Sequence, residues 1–319
     1  MTKPWKLVAD IGGTNARLGI MVENDFNQFY RQDYPVSQYE DFNAVINAFM
    51  KEVAEYDQLE NLPEQCCLAV ATQVEGDMVS FTNSHWSFSK AALAATLENR
   101  PLQVINDFEA VGLGILHLDD EDLIQVGGSD AMIQRPSVVL GPGTGFGVST
   151  LIPAEEGVIV IDGEGGHVDF APVDEREIRI LQYLTKEFGR VSIERLLSGD
   201  GMVNIGRALA FEQGQECFQS PDQITKALEQ KDPLAVEIME VFCNVLGSTA
   251  GNLAITLGAR GGVYIAGGIV PRVLDFFMQS GFRQRFEAKG RFTEHLATIP
   301  VYVVNRSDVG LLGAAVKIY

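Results

Sequence analysis

The sequence predicts a duplicated α/β protein, two domains around a cleft, and three observations carry that prediction. Residues 7–20 read Leu-Val-Ala-Asp-Ile-Gly-Gly-Thr-Asn-Ala-Arg-Leu-Gly-Ile: an apolar run, a Gly-Gly-Thr turn and a second apolar run. That order describes two strands joined by a tight hairpin. Residues 138–150 repeat the plan around Gly141-Pro142-Gly143-Thr144-Gly145-Phe146-Gly147. Each repeat then leads into alternating strands and helices, and no low-complexity or Pro/Ser-rich linker separates the halves. The expected division is a small domain at 1–112, completed by a C-terminal helix at 308–319, and a large domain at 113–307. Hinges are expected near 112–114 and 305–310.

The elements follow in order. Residues 7–11, 18–22 and 29–34 form a three-strand meander. Phe42, Val45, Ile46, Phe49, Met50 and Val53 fall on one face of a helix. Residues 66–74 read as a buried strand continuing into a hairpin at 75–81, and Ser89 suits the N-cap of a helix at 90–97. Residues 101–106 form a strand that delivers Asp107 at its C-terminal end. In the second half, strands are expected at 138–140, 147–152 and 158–161, and helices at 175–188, 193–197, 203–211 and 234–257. Gly247 and Gly251 lower the helix propensity of the last of these, which points to close packing or ligand approach. A strand at 262–269 precedes a helix opened by Pro271, and residues 300–304 and 310–318 close the chain.

Composition bounds the partners. At 319 residues there is room for two cores, and 46% hydrophobic with 21% charged residues is ordinary for a globular chain. The formal charge of −19 repels nucleic acid and anionic membranes, so neither is an expected partner. Cys66, Cys67, Cys217 and Cys243 lack C-x-x-C spacing, which fits buried thiols in a reducing compartment. With no signal-peptide pattern and no apolar run of 18, a cytoplasmic location is expected.

The two glycine turns carry the chemistry. Glycine lets backbone N–H groups approach an anion closely, and successive N–H groups make an anion-binding concavity. Asp10 adds a carboxylate suited to Mg2+ or its water shell. The second turn has no acid, so the two turns cannot have equal roles. Either alone could be an ordinary hairpin; the pair, with Asp10 in the first, points to nucleotide phosphates. No G-x-x-x-x-G-K-[ST] occurs, which excludes a P-loop, and the second turn lacks dinucleotide G-x-G-x-x-G spacing. Asp107 suits two roles at its strand end, helix N-cap or acceptor of a proton from an attacking hydroxyl. In Gly163-Glu164-Gly165-Gly166-His167-Val168-Asp169, Glu164 could accept two vicinal hydroxyls and His167 could both donate and accept, or the segment is a solvated surface loop. Glu194, taken alone, reads as a first-turn helix charge.

Several of these segments together resemble bacterial glucokinases, hexokinase-like sugar kinases on the actin and heat-shock-chaperone ATPase fold. The resemblance rests on Asp10-Ile11-Gly12-Gly13-Thr14-Asn15-Ala16-Arg17, Thr82-Asn83-Ser84-His85-Trp86, Ile105-Asn106-Asp107-Phe108 and Gly141-Pro142-Gly143-Thr144-Gly145. It continues through Gly163 to Pro172, Leu197-Ser198-Gly199 and Ile265-Ala266-Gly267-Gly268-Ile269-Val270-Pro271-Arg272. It runs almost end to end with the motifs in family order, although Ala9 stands where close relatives often have glycine.

The resemblance implies a duplicated ribonuclease-H-like (actin-like ATPase) fold and transfer of phosphate from ATP to the 6-hydroxyl of glucose, feeding glycolysis. It implies Asp107 as the base, with Asn106, Glu164, His167 and Glu194 on the other hydroxyls. Ala9, Asp10, Ile11, Gly12, Gly13 and Thr14, together with Gly141, Gly143, Thr144 and Gly145, would grip phosphates. Gly267 and Gly268 would pass beneath the adenosine, Asp10 would hold Mg2+ through water, and the chain would form a homodimer. A related repressor/kinase family carries a cysteine-rich zinc site after its histidine; here the next cysteine after His167 is Cys217, so no structural zinc is expected. The competing readings are a kinase for another hexose or an amino sugar, an actin-like ATPase acting on proteins, and a sugar-sensing regulator.

Overall fold

The structure is a computed structural model and describes residues 3–22, 29–55, 59–81 and 85–318. The chain divides into two compact units, Met1–Leu118 with Asp308–Tyr319, and Asp119–Ser307.

The first unit opens with the meander β1 (Trp5–Ile11), β2 (Asn15–Val22) and β3 (Phe29–Pro35), followed by α1 (Phe42–Val53). Next come β4 (Gln65–Val70), the short pair β5 (Met78–Ser80) and β6 (Ser87–Ser89), α2 (Lys90–Thr96), β7 (Leu102–Asn106) and α3 (Asp107–Ile115). The sheet order is β3-β2-β1-β4-β7, antiparallel through β1 and parallel beyond it. Period-two alternation sends the residues of β1 to two cores. Leu7, Ala9 and Ile11 join Trp5, Phe42 and Phe49 on one face, while Val8 joins Ala110, Leu311 and Ala314 on the other. Asp41 caps α1 by accepting the Ala44 N–H at 2.8 Å, and Ser89 caps α2 as its sequence position predicts. The strand expected at 66–74 ends at Val70. The 75–81 segment pairs with β6 rather than folding back on β4, because β4 is occupied on both edges by β1 and β7.

The second unit repeats the plan. β8 (Leu123–Gln125) precedes β9 (Ser137–Pro142), β10 (Phe146–Ala154) and β11 (Gly157–Gly163). The helices α4 (Glu175–Phe188), α5 (Gly199–Gln213), α6 (Pro221–Glu229) and α7 (Pro233–Leu257) lead to β12 (Gly262–Ile265). Then follow α8 (Ile269–Arg272), α9 (Leu274–Gln279), α10 (Phe282–Glu287), α11 (Thr293–Thr298) and β13 (Val301–Val304). The order β11-β10-β9-β12-β13-β8 again places an antiparallel meander beside two parallel strands, with β8 added antiparallel at the edge. One face carries Val138, Leu140, Val148, Val263 and Val301 into a core with Ile205, Phe242 and Leu246.

Local departures have physical causes. The helix expected at 193–197 is a 3-10 turn, Ile193–Arg195, and α5 starts only at Gly199, where Ser198 accepts the Gly201 N–H. Pro271 does not open α8 but lies inside it, after the N-cap at Gly268. Gly247 and Gly251 meet the carbonyls of Phe282 and Phe286, so their role is packing of α7 against α10. Helix α7 is long and apolar enough to cross a membrane by length alone, yet 72% of that window is buried inside the protein, as in a core helix.

The chain ends as α12 (Val309–Lys317), which returns to the first unit beside α3. The hinge expected at 112–114 is helix interior. A side chain at Gly114 would strike the Val309 carbonyl and one at Gly313 the Ala110 carbonyl, so these glycines let the two backbones touch. The first unit accordingly runs through Leu118, past the boundary expected at 112, because all of α3 belongs to it.

Candidate active site

In the first unit the Gly12-Gly13-Thr14 turn closes β1 onto β2, with the Gly12 N–H donating to the Asn15 carbonyl at 2.9 Å. Hairpin register places Asp10 opposite Arg17, and Arg17 opposite Asp33 on β3. Arg17 Nη1 lies 2.9 Å from Asp10 Oδ2, and the Asp10 side chain is 16% exposed. Gly310, near the start of α12, faces the same carboxylate: a Cβ there would lie 3.2 Å from it. Arg31 donates two hydrogen bonds to Asp33 at 2.6 and 2.7 Å, which holds the Asp33 carboxyl below its ordinary range. Sequence reasoning missed Arg17 and Asp33; counting pairs outward from the turn would have found them. Ala9 and Ile11 are fully buried strand residues, so only their backbones could face a phosphate.

At the end of β7 the capping role falls to Asn106. It is the N-cap of α3, its Oδ1 accepting the Phe108 N–H at 2.7 Å and the Glu109 N–H at 3.3 Å. Asp107 is the first residue of the helix, and its Oδ1 lies 3.0 Å from the Phe108 N–H. Capping therefore consumes the Asn106 oxygen. Its NH2 group reaches the Thr72 carbonyl only at 3.4 Å and keeps donor capacity for a ligand. Of the motif at 82–86, Thr82, Asn83 and Ser84 lie outside the described residues.

In the second unit the glycine turn is tied by the Gly143 N–H to the Gly145 carbonyl at 2.8 Å. Gly267 lies against the same strand end. Its φ of +102° and the position of a Cβ 2.6 Å from the Pro142 carbonyl oxygen require glycine, and the neighbouring Ala266 N–H donates to the Leu140 carbonyl at 2.8 Å. Its neighbours in the chain aside, no heavy atom of the described residues lies within 4 Å of a Cβ at Gly268, so the space there is open.

Glu194 is a first-turn charge of the 3-10 turn Ile193–Arg195, and its side chain also reaches beyond it. Its Oε2 accepts the Phe146 N–H at 2.8 Å, on the glycine turn itself. Glu164 precedes the 3-10 turn Gly165–His167, and its Oε2 lies 3.8 Å from His167 Nε2, both side chains more than half exposed. This turn is drawn toward Glu194 by the Phe170 N–H to Val191 carbonyl and Ile193 N–H to Val168 carbonyl bonds, both 3.0 Å, and by the Asp169–Ser192 bridge. Arg190 fixes the turn from outside through Asp169, at 2.6 Å, and the His167 carbonyl. Gly166 meets the Phe146 carbonyl. Phe146 thus joins the Glu164–His167 turn, Glu194 and the glycine turn in one cluster.

These two sheets, which share a five-strand plan extended by β8 in the second and each have a glycine turn between their first two antiparallel strands, define a duplicated ribonuclease-H-like α/β protein of the actin-like ATPase class. The family model described as Glucokinase matches residues 7–319. A glucokinase from Hahella chejuensis is 43% identical over 313 residues, covering 98% of this chain and 96% of that one. Among solved structures, a glucokinase from an Antarctic psychrotroph superposes with a TM-score of 0.83 at 32% identity, covering 98% of both chains. A Balamuthia mandrillaris glucokinase in complex with glucose superposes at 0.85 with 23% identity, covering 99% of this chain and 93% of that one. The chain belongs to the glucokinase family.

Proposed function

We propose that this protein transfers the γ-phosphoryl group of ATP to the 6-hydroxyl of glucose, releasing glucose 6-phosphate and ADP. Family membership over the whole length supports the glucose-kinase activity. In this reading Asp107 accepts the 6-hydroxyl proton as that oxygen attacks phosphorus. The Asn106 NH2, Glu164, His167 and Glu194 hold the remaining hydroxyls, and charge-assisted bonds to the two carboxylates orient the ring. Apart from the Gly12 and Gly143 N–H groups, which close the turns by donating to the Asn15 and Gly145 carbonyls, the N–H groups of both glycine turns receive phosphate oxygens, and Gly267-Gly268 gives a flat floor for the adenine and ribose. Such transfer has a loose transition state, so these residues act mainly by position and electrostatics.

Among the described residues no group of three His, Cys, Asp or Glu could hold a metal by itself. One carboxylate beside a phosphate cradle nevertheless fits Mg2+, which keeps most of its waters and takes its other ligands from the nucleotide. Asp10 would hold it through water, and when bound it would offset charge on the phosphate oxygens. The same reading places the enzyme at the entry of glycolysis, in the cytoplasm, as a homodimer.

The observation that carries the assignment of Asp107 is the division of labour at the end of β7: Asn106 performs the capping, and a carboxylate is retained at the adjoining position. A coupled assay of the purified protein with Mg2+, ATP and a panel of hexoses and amino sugars tests the reaction. Glucose is expected to give the highest kcat/KM. Absence of glucose 6-phosphate, or a clear preference for another sugar, would overturn the substrate assignment.

A further inference from the structure

We infer that Glu194 also serves as a positioning residue for the Gly143–Gly145 turn, and that through it sugar occupancy is communicated to the nucleotide phosphates. The inference rests on the sugar role proposed above and on four contacts within one unit. Glu194 Oε2 takes the Phe146 N–H at 2.8 Å, which leaves Oε1 for a hydroxyl. The approach is so close that a Cβ on Gly145 would sit 2.7 Å from Oε2. Gly145 has no left-handed φ, so what a side chain there would meet is the flexible end of Glu194. Behind Glu194, its carbonyl accepts the Ser198 hydroxyl at 2.9 Å, and the Gly199 N–H donates to the Gly143 carbonyl at 2.9 Å. The carboxylate and the turn are therefore held together at both ends of one short segment.

The physical consequence follows from the side chain. A carboxylate on a flexible two-methylene stem holds one backbone N–H loosely when its other oxygen faces water. A hydroxyl on Oε1 fixes its rotamer, and the Gly145–Phe146 peptide is fixed with it. The next N–H groups back along the turn, the donors assigned to phosphate, are then preordered. Ordering already supplied by one ligand need not be supplied by the next, which is positive coupling. Coupling between sites is typically about 5–150-fold in affinity and is reciprocal.

The test measures the dissociation constant of a non-hydrolysable ATP analogue, with Mg2+, for enzyme without glucose and at saturating glucose. For the wild type the ratio of the two is expected to exceed about fivefold. Gly145→Ala breaks the bond from the side of the turn, because the cheapest response is for the Glu194 carboxylate to swing away. Glu194→Ala breaks it from the other side, and Glu194→Gln, which keeps an acceptor oxygen, should restore part of the ratio. In Gly145→Ala the ratio is expected to fall toward 1; displacement of the Glu194 carboxylate also weakens glucose binding, which is why the comparison is made at a glucose concentration saturating for each variant. A ratio of 1 in the wild type, a wild-type ratio in Gly145→Ala, or tighter sugar-free nucleotide binding in Glu194→Ala would each overturn the inference. The last would make the carboxylate an occupant of the phosphate site. Failure of the parent reading looks different: the wild type would then produce no glucose 6-phosphate at all.

Discussion

The two units share a backbone plan and differ in where they put charge. The first glycine turn draws its carboxylate from its own hairpin, where register sets Asp10 against Arg17. The second receives its carboxylate from Glu194, 48 residues beyond Phe146, and pairs it with a backbone N–H rather than a cation. The fifth strands differ too: β7 ends at Asn106 and runs into Asp107, whereas β13 runs into Asn305-Arg306. In the proposed reading the same cradle serves metal-linked phosphate in one unit and sugar-linked phosphate in the other, according to the side chains brought to it. Backbone plan supplies the cradle, and charge placement assigns its role.

The sharpest way to break this comparison is Asp107→Asn. If the first unit alone supplies the base, kcat falls by about 10²–10⁴, the usual contribution of a positioned proton acceptor, while glucose affinity changes little. Steady-state kinetics with a separate binding titration checks both. Near-normal turnover would remove the base assignment and leave the two units chemically closer than their sequences suggest.

Next in size is Arg285→Met. The first unit keeps its ion pairs around Asp10 and Asp33 partly exposed, whereas the second buries Glu177 (1% exposed) against Arg285 at 2.6 Å, with Asp174 and Ser248 also on the guanidinium. Removing one partner of a buried pair costs about 3–5 kcal/mol, to be read from denaturant unfolding. Burial already raises the Glu177 carboxyl, opposed by the Val173 N–H and by Arg285. Losing Arg285 raises it further, and an acid whose native pKa is raised loses stability above its ordinary range. The deficit of the variant is therefore expected to be fully developed only above the raised native pKa of Glu177 and to shrink as pH falls toward about 4.3. A deficit independent of pH would assign the loss to packing of the arginine stem instead.

Much of this was legible in the sequence because the informative residues act locally. Gly-Gly-Thr between apolar runs, the spacing of Phe42 to Val53 and Ser89 before an alanine-rich stretch each specify backbone over a few residues, and each element formed. What escaped depended on partners distant in sequence. Glu194 reads as a helix charge until the Val168–Ile193 bond folds it onto Phe146. Gly114 reads as a hinge until Val309, almost two hundred residues later, packs on it. Asp107 and Asn106 were found together, but which one capped α3 was decided by side-chain rotamers that no spacing encodes.

The smallest expected effect concerns the far end of the Asp10–Arg17–Asp33 row. Arg31 lowers the native pKa of Asp33, so its contribution to stability is present above the ordinary aspartate range and is lost as pH falls through the native value. Because the Asp33 side chain is 47% exposed, Asp33→Asn should cost less than about 1 kcal/mol at pH 7. Thermal unfolding followed from neutral to acid pH should show the variant and the wild type converging below about pH 3.9. The kinetic arm of the same experiment sharpens the comparison between the turns. If only the Arg17 contact orders Asp10, KM for MgATP in Asp33→Asn stays at the wild-type value. A several-fold rise would mean that all three charges act as one unit, and that the first turn, like the second, is positioned from beyond its own hairpin.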